Sequence, residues 1–155
     1  NLIFYDVVKN EDFARKVGGR YVELKELLRE SDFVTIHVPL LPQTKRLIGE
    51  KELALMKPTA VIVNTSRGPI VDERALLRAL KSGRISGAAL DVLSSETTSE
   101  NPFFRNPLVK HMQVHENLII TPHIGGATHE SMEATGMFVI EKIKSLVRKK
   151  RITSF

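Results

Sequence analysis

Short apolar runs alternate with stretches of helical periodicity along this chain. Residues 2–5, 33–38, 60–63, 87–90 and 117–120 are brief, rich in apolar or β-branched residues, and not strictly alternating. That is the pattern of strands buried on both faces of a parallel sheet. Between them lie helix signals. Asn10 is a suitable N-cap for a short helix ending at Gly18-Gly19, and Leu24, Leu27 and Leu28 mark one face of the next. Asp72 can cap a helix over 73–81, with Leu76, Leu77 and Leu80 inward and Gly83 ending it. The last helix is predicted to begin near Thr128, placing Met132, Val139, Ile140, Ile143, Leu146 and Val147 at helical spacing. Strands separated by helices imply βαβ units and a parallel sheet covered on both faces. Residues 94–114, with Asn101-Pro102 and Asn106-Pro107, read as a long loop.

At 155 residues the chain is one domain's worth, and its 42% hydrophobic content supports a sizeable core. No run is long enough to span a bilayer, so no membrane association is expected. The start has no basic leader and no initiator Met, so the sequence is expected to begin inside a longer protein. The lack of cysteine excludes disulfides, thiolate metal sites and a Cys nucleophile, and it suits a cytoplasmic protein. The net charge of +5 lies largely in the last helix and tail, at Lys142, Lys144, Arg148, Lys149, Lys150 and Arg151. Cations at a helix C-terminus account for it. Without aromatic interleaving or a recognition motif, nucleic-acid binding is not expected, and no metal site is read.

Ligands of such sheets bind outside the carboxyl ends of the strands. The residues just past each apolar run are Asp6, His37-Val38-Pro39, Asn64-Thr65-Ser66-Arg67-Gly68, Asp91 and His123. The strongest polar candidates thus fall at one edge. An acidic residue placed like Asp6 accepts hydrogen bonds from the ribose hydroxyls of a dinucleotide and repels a 2′-phosphate, which favours NAD over NADP. An Asp after a strand is also a common turn residue.

Four ordered stretches are more specific: His37-Val38-Pro39-Leu40-Leu41-Pro42-Gln43-Thr44, Val63-Asn64-Thr65-Ser66-Arg67-Gly68, Gly87-Ala88-Ala89-Leu90-Asp91-Val92, and Thr121-Pro122-His123-Ile124-Gly125-Gly126-Ala127-Thr128. From Asp6 to about Met132 the chain closely resembles the NAD-binding domain of the D-isomer-specific 2-hydroxyacid dehydrogenases, which include phosphoglycerate dehydrogenase and the glyoxylate and hydroxypyruvate reductases. The resemblance implies NAD as cofactor and a small 2-keto or 2-hydroxy acid as substrate. It gives Arg67 the substrate carboxylate and carbonyl, His123 the acid/base role, and Glu96 the part of histidine partner. Thr97 stands where a Pro commonly follows, and Glu100 is the alternative. Cofactor contacts would come from Asp6, from Val38 and Pro39 on the adenine and ribose side, from Thr65 and Ser66 at the nicotinamide ribose, and from Asp91 at the carboxamide. Arg67 and His123 would also border the cofactor, with Gly125 and Gly126 admitting it closely. His37 would pack beside it, while His111, His115 and His129 read as surface or loop residues.

These assignments make chemical sense. Hydride transfer to a 2-keto acid builds negative charge on the carbonyl oxygen. Histidine is the side chain whose ordinary pKa suits donating a proton there near neutrality, and a guanidinium offers a planar fork for a carboxylate.

The expected fold is therefore α/β: an incomplete Rossmann-type, doubly wound parallel sheet lacking the first strand and its glycine loop. Residues 1–155 would form a partial NAD-binding domain without a substrate domain, and 129–155 a long C-terminal helix with a basic tail. The chain contains no Gly-x-Gly-x-x-Gly, and Gly18-Gly19 follows a helix rather than a strand. A sheet missing its central strand would part the Asp6 strand and the next strand, 33–38, from the later three. Exposed edges would then favour a homodimer or higher self-association. Two other readings are an NAD-sensing, corepressor-like binding protein and an inactive self-associating fragment.

Overall fold

Every strand ladder in this computed structural model, which describes residues 1–94 and 103–152, is parallel. The elements run β1 (Leu2–Phe4), α1 (Glu11–Val17), β2 (Gly19–Tyr21), α2 (Leu24–Glu30), β3 (Phe33–Ile36), α3 (Glu50–Leu53), β4 (Val61–Asn64), α4 (Glu73–Lys81), β5 (Gly87–Leu90), α5 (Pro107–Met112), β6 (Leu118–Ile120) and α6 (His129–Ile152). Strands β3-β4-β5-β6 form a four-stranded sheet in that order, and β1-β2 form a separate pair. The α/β class with a parallel, Rossmann-like sheet is as the sequence predicts.

Register explains where the core sits. Val34, Ile62, Ala88 and Leu118 stand opposite one another across the larger sheet, and all four are buried. Side chains two residues apart share a face, so the next row on that face is Ile36, Asn64, Leu90 and Ile120. Leu28 of α2, Leu53 of α3, Leu76 and Leu80 of α4, and Leu108 and Val109 of α5 join this cluster. The alternate positions are more open: Phe33 and Ile119 are 73% and 62% exposed. Cover on both faces was expected; the buried cluster gathers mainly on one.

The helix signals act as the sequence predicts. Asn10 Oδ1 accepts from Phe13 N at 2.9 Å, and α1 ends on Gly18 in the left-handed region, at φ 68°. Asp72 accepts from the amides of Arg74 and Ala75, both at 3.0 Å, and Gly83 follows α4 with φ 66°.

Three further expectations need correction. The partner of β1 is β2, a three-residue strand with no apolar run, and Phe33–Ile36 belongs to the larger sheet. The division is therefore two strands against four, not two against three. Secondly, the stretch read as one loop contains a 3₁₀ turn at Phe103–Arg105 and then α5. Asn106 Oδ1 accepts from Leu108 N at 2.8 Å, with Pro107 in the first turn, so this Asn-Pro starts a helix rather than a turn. Thirdly, His111 is no surface residue. It is 4% exposed on α5, its Nε2 lies 2.9 Å from Asn117 Oδ1, and its ring stacks on His115 at 4.1 Å. His115 and His129 are exposed, as expected.

The chain divides into two compact units, Asn1–Pro122 and His123–Phe155. In the second, Thr128 Oγ1 accepts from Ser131 N at 3.2 Å at the start of α6. Met132, Val139, Ile140, Ile143, Leu146 and Val147 do lie on this helix, each about half exposed or more. Among the described residues no helix is long and apolar enough to cross a membrane.

Replacing Asp72 by Ala is expected to destabilise the protein by about 0.5–2 kcal/mol, while Asn, which keeps an acceptor, loses much less. Urea unfolding of the two variants measures the difference.

Candidate active site

Strand register places the candidate residues. Ile36, Asn64, Leu90 and Ile120 end their strands level with one another, so the carboxyl edge carries the segments beginning at His37, Thr65, Asp91 and Thr121 side by side. Adjacent strands lie about 4.8 Å apart. Val38, Pro39, Thr65, Ser66, Arg67 and Asp91 are thereby gathered along one edge of the first unit.

The loop after β4 is built around Asn64, which is 1% exposed. Its Oδ1 accepts from Ser66 N at 3.0 Å and Ser66 Oγ at 2.8 Å, while its Nδ2 donates to the carbonyl oxygen of Arg67 at 3.0 Å. The Arg67 side chain is exposed, and its Nη1 donates to Ser66 O at 2.6 Å. Gly68 then packs against backbone: a Cβ there would overlap the carbonyl carbon of Leu93 and the amide nitrogen of Ser94.

Asp91 is 6% exposed. Its amide donates to Asn64 O at 2.9 Å, and its carboxylate accepts from the Thr121 hydroxyl. Thr121 N donates to Leu90 O at 2.9 Å. The ends of β4, β5 and β6 are thus stitched together just where the loops leave. After β3, Thr44 Oγ1 accepts from Leu41 N and donates to Pro39 O, holding the 39–44 turn. His37 is exposed and lies 2.8 Å through Nε2 from the Thr35 hydroxyl.

Other candidates belong to the two-stranded sheet, belong to the second unit, or fall outside the described residues. Asp6 follows β1 in the two-stranded sheet, where its Oδ1 accepts from Val8 N at 3.1 Å. His123, Gly125 and Gly126 open the second unit. His123 has φ 57°, an uncommon left-handed conformation for a residue with a side chain. A turn follows in which Ala127 N donates to Ile124 O, and Gly126 has open space around it. Glu96 and Glu100 fall outside the described residues. Glu73 accepts hydrogen bonds from Ser94 N and Asn106 Nδ2, on either side of that stretch. Among the described residues no cluster of His, Asp or Glu suits a metal ion.

Residues 1–125 match the family model of the D-isomer specific 2-hydroxyacid dehydrogenase, NAD binding domain. The chain belongs to that family. It is 43% identical over 142 residues to a glyoxylate reductase of Thermococcus litoralis, covering 92% of this chain and 40% of that protein. Similarity to a D-3-phosphoglycerate dehydrogenase of Methanocaldococcus jannaschii is 42% over 149 residues, covering 96% of this chain and 27% of that one. Among solved structures, the NAD complex of a D-isomer specific 2-hydroxyacid dehydrogenase from Lactobacillus delbrueckii ssp. bulgaricus matches with a TM-score of 0.81. That match has 33% identity over 95% of this chain and 45% of that chain. The chain therefore spans less than half the length of these relatives.

Sequence reasoning named Arg67 and Asp91 but missed Asn64, Gly68 and Thr121 as the residues that hold them. An Asn closing an apolar strand is the one available signal.

Gly68→Ala must displace either the Arg67 loop or the Leu93–Ser94 backbone, and is expected to cost about 1–3 kcal/mol. Denaturant unfolding reads that cost; an unchanged stability would contradict the packing.

Proposed function

We propose that the full-length protein is an NAD-dependent oxidoreductase that interconverts a small 2-keto acid and its D-2-hydroxy acid. The observation that carries this reading is the level edge of the four-stranded sheet, where the Thr65–Arg67 loop and Asp91 lie on adjacent strand ends in a chain of this family. The polar groups present fit a nicotinamide dinucleotide: hydroxyls at Thr65 and Ser66, a carboxylate at Asp91, and a second carboxylate at Asp6 suited to ribose hydroxyls. No glycine-rich pyrophosphate loop lies within these residues.

NADH, when bound, supplies the hydride. Arg67 would bind the substrate carboxylate and polarise the carbonyl oxygen, swapping its present contact with Ser66 O for charged ones. His123 would donate a proton to that oxygen, or accept it in the reverse direction, with Glu96 as its partner. Val38 and Pro39 would line the adenine and ribose side, and Gly125 and Gly126 would admit the cofactor closely. We place the protein in the cytoplasm, which its lack of cysteine suits. Expressed alone, the present chain would self-associate along strand edges such as β3, where Phe33 is exposed.

The test is turnover of glyoxylate, hydroxypyruvate and phosphohydroxypyruvate by the full-length protein with NADH. Arg67→Ala is expected to lower kcat/KM by about 10²–10³-fold, with Lys recovering only part because it lacks the planar fork. His123→Gln is expected to lower kcat by about 10²–10⁴-fold. NADH binding without turnover of any such acid would instead favour a cofactor-sensing protein. Sedimentation of the 155-residue chain checks self-association; a monomer at every concentration would refute it.

A further inference from the structure

Asn64 is the polar member of an otherwise apolar row. Its neighbours across the ladders, Ile36 and Leu90, are buried, and β4 has just placed Ile62 in the core on the same face. A polar side chain at this position is costly unless every group is paired. Here the pairing goes to the loop that follows. Oδ1 takes both polar hydrogens of Ser66, and Nδ2 holds the carbonyl of Arg67. The Ser66 carbonyl in turn accepts the Arg67 guanidinium. A single buried amide therefore fixes the Thr65–Ser66 peptide, the Ser66 hydroxyl and the Arg67–Gly68 peptide, on either side of the Arg67 side chain.

We infer that Asn64 is a positioning residue that aims Arg67 at the substrate, an inference that rests on the proposed function. The task needs a donor and an acceptor on one short side chain at the end of a strand, which Asn supplies. An ionised Asp is the same size but acceptor-only, so it would face the Arg67 carbonyl oxygen with a charge in place of a donor. Gly68 limits the loop from the other side, where it abuts the Leu93–Ser94 backbone. Between these two restraints, losing the amide would let the Ser66-Arg67 segment shift without unfolding the sheet.

The test is a double-mutant cycle in the full-length protein. Asn64→Ala is expected to lower kcat/KM for the 2-keto acid by about ten- to a hundred-fold, since misplacing a substrate anchor by about an ångström costs that much. In an Arg67→Ala background the same substitution should cost less than about two-fold, because residues that act as one unit are non-additive. Asn64→Asp keeps the volume and carries the cycle if the Ala variant fails to fold. Amide exchange at Ser66 should accelerate in the Ala variant, which loses the acceptor, and stay slow in the Asp variant, which keeps it. An Asn64 substitution that costs as much without Arg67 as with it would overturn this inference alone. Failure of the unsubstituted protein to turn over any 2-keto acid would overturn the functional reading, and this inference with it.

Discussion

The in-step register of three parallel ladders is the constraint on which the candidate site depends. Ile36 faces Asn64, Asn64 faces Leu90, and Leu90 faces Ile120, so four strands stop at one line. A slip of one residue in β4 would turn Ile62 and Asn64 out of the buried face and carry the Arg67 loop with them. The apolar rows resist that slip, because Val34, Ile62, Ala88 and Leu118 are buried together only in this alignment. Chemistry at the edge is set by packing inside the sheet, and the two cannot be changed independently.

Elements with strong local signals were legible in the sequence. The four strands of the larger sheet, the Asp72 and Asn10 caps, and the motifs around Arg67 and Asp91 could all be read from residue type and spacing. What escaped depends on contacts distant in sequence. Strand β2 has three residues, one of them Gly19, and becomes a strand by pairing with β1, where the Phe4 ring lies against Gly19. The fate of Asn106-Pro107 depends on Leu108 and Val109 finding the core, which turns a loop signal into a helix start. His111 looks like a surface residue until Asn117, six residues on, turns its amide toward the ring and donates to Leu80 O. The holders of the site were hidden for a different reason. Asn64 and Thr121 have no chemistry of their own to announce, and matter through what they bond.

Asn64 and Asp91 illustrate two uses of a polar group inside a parallel sheet. Each sits where a strand ends, is almost fully buried, and is hydrogen-bonded to the next structural piece. Asn64 ties its strand to its own outgoing loop; Asp91 ties its strand to the neighbouring one through Thr121. Apolar residues of equal size would pack as well or better, so the amide and carboxylate contribute specificity of position more than stability.

The proposed acid/base residue begins where that network ends. Thr121 is fixed twice, by its amide to Leu90 O and by its hydroxyl to Asp91, and His123 follows one residue beyond Pro122. There the backbone enters the left-handed region at φ 57°, a conformation that costs of order 1–3 kcal/mol for a residue with a side chain. Such a conformation persists only where the surroundings over-determine it. Within the first unit the Thr121 bonds fix the end of β6, and Pro122 carries its own fixed φ. The two ends of the proposed catalytic pair are therefore restrained by different means. Arg67 is held by a buried amide within its own loop, whereas His123 carries its constraint in its own backbone conformation.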